Sequence, residues 1–157
     1  MIPNRLVLDT NVLLDLFVFH DPRWTSLLLA LQHRKAEAVT RADCRDEWRH
    51  VLRYPHLPLS EATRPAAEAQ FDALIRLVTE PAGSAPLPTC SDRDDQKFLE
   101  LARDAQASML LTKDKALLKL ARRTAKAGMF RILTPQDWVR EHNATQETAN
   151  PAAVPLE

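Results

Sequence analysis

Four acidic residues occupy places in this sequence where carboxylates can be brought together. Asp9 closes the apolar run Leu6-Val7-Leu8 and is followed by Thr10, Asn11 and a second apolar run. Asp114 stands just past another compact apolar stretch, in Leu110-Leu111-Thr112-Lys113-Asp114. Asp95 begins a helical pattern, where negative charge is favoured by the helix dipole and by free backbone N–H groups. Glu47 lies inside a further helical pattern, one turn before Val51. If the apolar runs are strands of an open α/β sheet, these acids can meet beyond the strand tips, where such sheets bind ligands. Two carboxylates about 4 Å apart repel by roughly 4 kcal/mol at an effective dielectric of about 20, so a tight cluster needs protons or a cation. Oxygen ligands of this kind suit Mg²⁺ or Mn²⁺. One or two such ions can activate water and stabilise the leaving oxygen of a phosphodiester.

Each acid also has a plain structural reading. Asp9 and Asp114 can simply cap the helices that follow them, and Asp95, beside Asp92 and Asp94, can be ordinary helix-start charge. Glu47 can be solvated, or paired with Arg49 or Arg53. Order and placement together make the case for a site.

The elements that must position these acids alternate between strand and helix. Leu6 to Leu8 reads as a strand buried on both faces. Val12 to Phe19 has the spacing of a short buried helix. Asp21-Pro22 opens a helix over 23–34, with Trp24, Leu27, Leu28 and Leu31 on one face. Residues 36–40 form a weak candidate strand, and 42–54 returns to helical spacing before Pro55. Ser60 is the expected N-cap of a long helix to Thr79, with Phe71, Leu74, Ile75 and Val78 as its stripe and Pro65 in or near its first turn. Prolines 81, 86 and 88 make the next segment an extended connection with room for one short strand. A helix then runs from Asp94-Asp95 to Ala105, a strand over 108–112, a basic helix over 115–127 closed by Gly128, a strand over 130–133 and a helix after Thr134-Pro135. From Asn143 onward the Ala, Thr, Pro and Glu composition predicts a disordered tail, so the domain is expected over 1–142 and the tail over 143–157.

Alternating strands and helices imply a parallel sheet covered on both faces. At 157 residues the chain is most simply one domain. Lysine plus arginine and aspartate plus glutamate number 21 each, so any polyanion contact must come from a local patch. Glycine occurs only twice, and neither the dinucleotide fingerprint nor the phosphate-binding loop is present, which weighs decisively against a Rossmann dehydrogenase or a P-loop protein. No apolar run reaches membrane-spanning length, and Met1 to Arg5 lacks a secretory leader pattern. Cys44 and Cys90 have no metal spacing, and a cytoplasmic protein with reduced thiols is expected.

Five stretches in register resemble the PIN-domain family. They are Leu8-Asp9-Thr10-Asn11-Val12-Leu13, then Glu47 with Val51-Leu52 and Pro55, then Asp92 to Ala102, then Leu111-Thr112 with Asp114 and Leu117-Leu118, and last Arg131 to Pro135. The match runs over about 5–140 and, more narrowly, is similar to the bacterial group described as toxin components of toxin–antitoxin systems, the VapC-like ribonucleases. The resemblance implies a three-layer α/β/α domain with a central parallel sheet, cleaving single-stranded RNA with Mg²⁺ or Mn²⁺. It puts the catalytic and metal-binding quartet on Asp9, Glu47, Asp95 and Asp114. Asn11 and Thr112 fall at the supporting polar positions, with Asp92 and Asp94 as alternative acids. Lys113 replaces a glycine common in the family, and Gln96 interrupts its acidic run.

In that reading Asp9, with Asp95 or Asp114, holds the metal, and Glu47 holds a second ion or acts as base. Lys113, Lys115 and Arg49 are the expected phosphate contacts. The implied partners are single-stranded RNA, an antitoxin covering the acidic groove and a second copy of the chain in a homodimer. The rival classes are a catalytically silent PIN-like binding module and a haloacid dehalogenase-type phosphatase. The phosphatase needs a second acid where this chain has Asn11.

Overall fold

The computed structural model describes residues 1–149. It contains one five-stranded sheet, all parallel, in the order β3-β2-β1-β4-β5. The strands are β1 (Ile2–Leu8), β2 (Glu37–Thr40), β3 (Ile75–Leu77), β4 (Ala107–Leu111) and β5 (Arg131–Leu133). The helices are α1 (Thr10–Phe17), α2 (Thr25–Gln32), α3 (Ala42–Val51), α4 (Arg64–Leu74), α5 (Gln96–Asp104), α6 (Lys115–Leu118), α7 (Ala121–Lys126) and α8 (Pro135–Ala149). Short 3₁₀ turns precede α2 and α5. This is the expected three-layer α/β/α arrangement.

β1 is central because its side chains are apolar on both faces. Leu6 and Leu8 enter a core layer with Phe17, Trp48, Phe71 and Trp138, whereas Val7 enters the other with Phe98, Leu101, Leu110 and Phe130. Trp48 stacks on Phe71 at 5.3 Å and meets Phe17 edge-on at 6.1 Å. That aromatic triad anchors α3, and with it Glu47, beneath the sheet tips. After β1 the chain moves outward through β2 to β3, then returns to build β4 and β5 on the other side of β1. The crevice between β1 and β4 is therefore a topological switch point, and Asp9 and Asp114 both lie just past it.

The long helix expected from Ser60 to Thr79 is shorter at both ends. Ser60 caps a turn, its hydroxyl accepting from the N–H groups of Ala62 and Thr63, and α4 begins at Arg64 with Pro65 in its first turn. At Ile75 the backbone swings to extended geometry without a loop, and Ile75 to Leu77 pairs with Ala38 to Thr40 as the sheet's edge. No strand forms among prolines 81, 86 and 88, where the sequence left room for one. The basic helix breaks into α6 and α7 around Lys119-Leu120, and Gly128, at φ +70°, ends α7 as expected. α8 continues through Ala149, beyond the point where the composition predicts a tail; residues 150–157 lie outside the described residues. Cys44 and Cys90 are buried free thiols. Among the described residues no helix is long and apolar enough to cross a membrane.

Candidate metal centre

Asp9 sits at the N-cap position of α1, but its side chain does not cap the helix. It is 3% exposed and turns toward β4, where Oδ2 accepts a 2.7 Å hydrogen bond from the Thr112 hydroxyl. The plain capping reading of Asp9 therefore fails. Burial pushes its carboxyl above the ordinary range against the pull of Thr112, and nearby Asp114 and Glu47 add repulsion.

Thr112 is fully buried and works in both directions. Its Oγ1 donates to Asp9 and accepts from the Asp114 backbone N–H at 2.9 Å, fixing one acid against the other. Replacing it by valine should destabilise the protein by about 1–3 kcal/mol in a denaturant titration, because Asp9 Oδ2 and the Asp114 N–H lose that partner in a buried setting. The same change should push the Asp9 carboxyl higher still.

Asp114 is both cap and cluster member. Its Oδ1 accepts from Ala116 N–H at 2.9 Å, opening α6. Asp95 closes the 3₁₀ turn Arg93–Asp95 and becomes the N-cap of α5. Asp92 caps that turn by accepting from Asp94 N–H at 3.0 Å. A 3₁₀ turn has three residues per revolution, so positions 92 and 95 share a side while 94 faces away. Asp92, Asp95 and Asp114 each offer a carboxylate oxygen, and these lie within 4.8 Å of one another. Asp94 is exposed and contributes its backbone carbonyl, to Lys97.

Crowding drives the proton affinities of Asp95 and Asp114 apart. Burial, then the bond to Asp114, then repulsion from Asp9, Asp114 and Asp92 push the Asp95 carboxyl up to about 8. Asp114 moves the other way, lowered first by its bond to Asp95 and then by Ala116 N–H. Asp95 Oδ2 is buried and has no hydrogen-bond partner among the described residues. An orphaned buried oxygen beside two further carboxylates is a hard, all-oxygen donor set, and it fits a divalent cation such as Mg²⁺ or Mn²⁺.

Glu47 is held at one side of this group. Oε1 accepts from the buried Thr10 hydroxyl at 2.8 Å, and Oε2 is ion-paired with Lys97. Thr10 and Lys97 carry no role in the sequence reading. Their signals were a hydroxyl directly after the first acid and a lysine in a helix's first turn, where the dipole disfavours it. The expected partners of Glu47 are not used: Arg49 lies 3.6 Å from Asp72. Asn11 is exposed in the first turn of α1. Lys113 pairs at 2.6 Å with the buried carboxylate of Asp15, which also accepts from Trp24 Nε1. Lys115 is exposed, one residue beyond Asp114.

A family model described as PIN domain matches residues 5–116. The chain belongs to the PIN-domain family. The matched span begins in β1 and ends just after Asp114, so it contains every acid described above. No curated protein matches the chain. The PIN domain is a nuclease fold, often metal-dependent, and the site lies at its sheet's switch point. Two large grooves, of about 590 and 570 Å³, lie elsewhere; one is bordered by Leu31, Arg34 and Arg76, the other by Lys35, Trp138 and His142. Neither includes Asp9, Glu47, Asp92, Asp95 or Asp114, and the chemistry of the acids decides the site over groove size.

Proposed function

We propose that this PIN domain is a Mg²⁺- or Mn²⁺-dependent endoribonuclease of single-stranded RNA, acting in the cytoplasm as the toxin of a toxin–antitoxin pair. The observation that carries the nuclease reading is the convergence of Asp92, Asp95 and Asp114 around a buried, unpartnered carboxylate oxygen, with Asp9 fixed beside them by Thr112. The toxin role, the antitoxin partner and the homodimer rest on the sequence resemblance.

In this reading Asp92, Asp95 and Asp114 hold the cation. When bound, it supplies Lewis acidity to the scissile phosphodiester. Asp9 adds negative charge beside the cation, and its carboxyl, pushed up by burial, is suited to take a proton from the attacking water. Thr112 keeps Asp9 and the Asp114 backbone in fixed relation. Of the expected phosphate contacts, Lys113 and Arg49 are engaged by Asp15 and Asp72, which leaves Lys115 the best placed.

The test is incubation of the purified chain with labelled single-stranded RNA and Mn²⁺, beside Asp9→Asn. Wild type should cleave and the variant should lose roughly 100-fold or more of that rate. Equal cleavage by both would trace the activity to a contaminant and sink the site assignment. RNA binding without Mn²⁺-dependent cleavage would identify a binding module instead.

A further inference from the structure

Lys97 sits against the electrostatics of its own helix. It is the second residue of α5, at the positive end of the dipole, where cations are disfavoured. Its side chain is nevertheless only 18% exposed. The ammonium is held by the Glu47 carboxylate and by the backbone carbonyl of Asp94, and it lies 5.2 Å from the Phe98 ring centre. Glu47 is correspondingly engaged on both oxygens, one by Thr10 and one by Lys97. It is not part of the group whose oxygens converge within 4.8 Å. The acidic end of the sheet thus divides into a carboxylate group open to a cation and a carboxylate that already has one.

We infer that Lys97 acts as a built-in monovalent cation on the Glu47 side of the site, so that this PIN domain takes a single divalent ion, on Asp92, Asp95 and Asp114. The inference rests on the proposed metal-dependent function and fixes the number of ions it uses. A second divalent ion at Glu47 would have to displace an ammonium already bonded to a carboxylate and a carbonyl. Left in place, the ammonium repels any further cation at short range. Lys97 is in this sense a positioning residue: it orients Glu47 and keeps it out of the metal's ligand set.

Mn²⁺ stoichiometry on the full chain, without RNA, tests this. Free Mn²⁺ is read by electron paramagnetic resonance, and the melting temperature with and without Mn²⁺ gives a second readout. Wild type should bind one Mn²⁺. Lys97→Met removes the charge and frees Glu47, and should admit a second ion. The double variant Lys97→Met, Glu47→Gln removes the pair together and should bind one ion again, within about threefold of the wild-type affinity, because a buried pair replaced on both sides is tolerated. Two ions in wild type, one ion in Lys97→Met, or a loss of about tenfold or more in the double variant each overturns the inference, and each leaves the metal-dependent nuclease standing. Absence of Mn²⁺ binding in every form overturns both. The wild-type stoichiometry holds whether or not either variant folds.

Discussion

Asparagine at position 114 should leave the fold near wild-type stability while weakening Mn²⁺ binding by roughly 100-fold or more. The two halves of this expectation come from different atoms. The cap of α6 uses one side-chain oxygen of Asp114 to accept the Ala116 N–H, and an asparagine amide oxygen serves that role about equally well. The bond to Thr112 uses the backbone N–H of residue 114 and does not depend on the side chain. The metal set loses one of three carboxylates and its negative charge. Even groups that only orient ligands cost about 10- to 100-fold in metal affinity when removed, so a direct ligand should cost at least that. Mn²⁺ titration, with a denaturant melt on the same sample, separates the roles. Unchanged Mn²⁺ affinity would confine Asp114 to capping and remove it from the site. Cleavage of single-stranded RNA should fall in parallel.

Much of the sheet was legible in local pattern, and the exception is instructive. β4 and β5 hold apolar runs bounded by polar or turn residues, β1 ends in one at Leu6–Leu8 after a polar start, and β2, with only Ala38 and Val39 apolar, was the weak candidate that pairing with β1 completes. β3 is three residues long, is entered from α4 without a turn, and buries only Ile75 among its residues. Its phase matches the stripe of the preceding helix, so periodicity extends the helix through it. What makes it a strand is the open edge of β2, a tertiary fact that no local window contains. The break between α6 and α7 is similar, since the basic residues there are good helix formers throughout.

For the site, position relative to strand ends carried the information. Asp9 and Asp114 were visible because each follows a buried strand, and Asp95 because it starts a helix. The choice between Asp92 and Asp94 depends on the phase of a 3₁₀ turn, and the pattern alone did not distinguish it from an α-helical start. Contacts between distant residues were out of reach. Thr10 meets Glu47 across 37 residues, and Lys97 reaches Glu47 from another layer of the fold. Lys113 shows the converse: a basic residue beside the acids looked like a phosphate contact, and the buried Asp15 carboxylate takes it. That pairing joins residues far apart in the chain, so no local window contains it.

Stripped of divalent cations, the protein should lose stability as pH rises from about 4 to about 8, and Mn²⁺ should restore it. Asp95 dominates this trend. Its carboxyl titrates near 3.8 in the unfolded chain and at about 8 in the folded protein, raised chiefly by burial. The folded state therefore holds this proton more tightly, so the contribution is fully present below 3.8 and is lost as pH climbs through about 8. Asp9, also raised by burial, acts in the same direction. Asp114 is depressed by its bond to Asp95, so its contribution is present above the unfolded value and lost as pH falls. The two titrate as a pair, and the larger displacement of Asp95 sets the sign. Asp21, Asp43 and Glu141, lowered chiefly by arginine partners, add stability with rising pH around and below their ordinary values, and His142, lowered by burial, adds some as pH rises toward 6.5 in wild type and variant alike. The difference between wild type and Asp95→Asn from about pH 5 to pH 8 therefore isolates the Asp95 proton. In chelator, wild type should melt progressively lower across that window relative to the variant. Mn²⁺ at about 100 times its Kd should add roughly 2.7 kcal/mol, with a larger gain at the alkaline end because the ion must displace the proton. Asp95→Asn should show a flatter ion-free profile and little response to Mn²⁺. An ion-free wild type whose melting temperature holds level with the variant throughout would mean that Asp95 and Asp114 are not pressed together in solution, and the carboxylate group would lose its standing as a metal site.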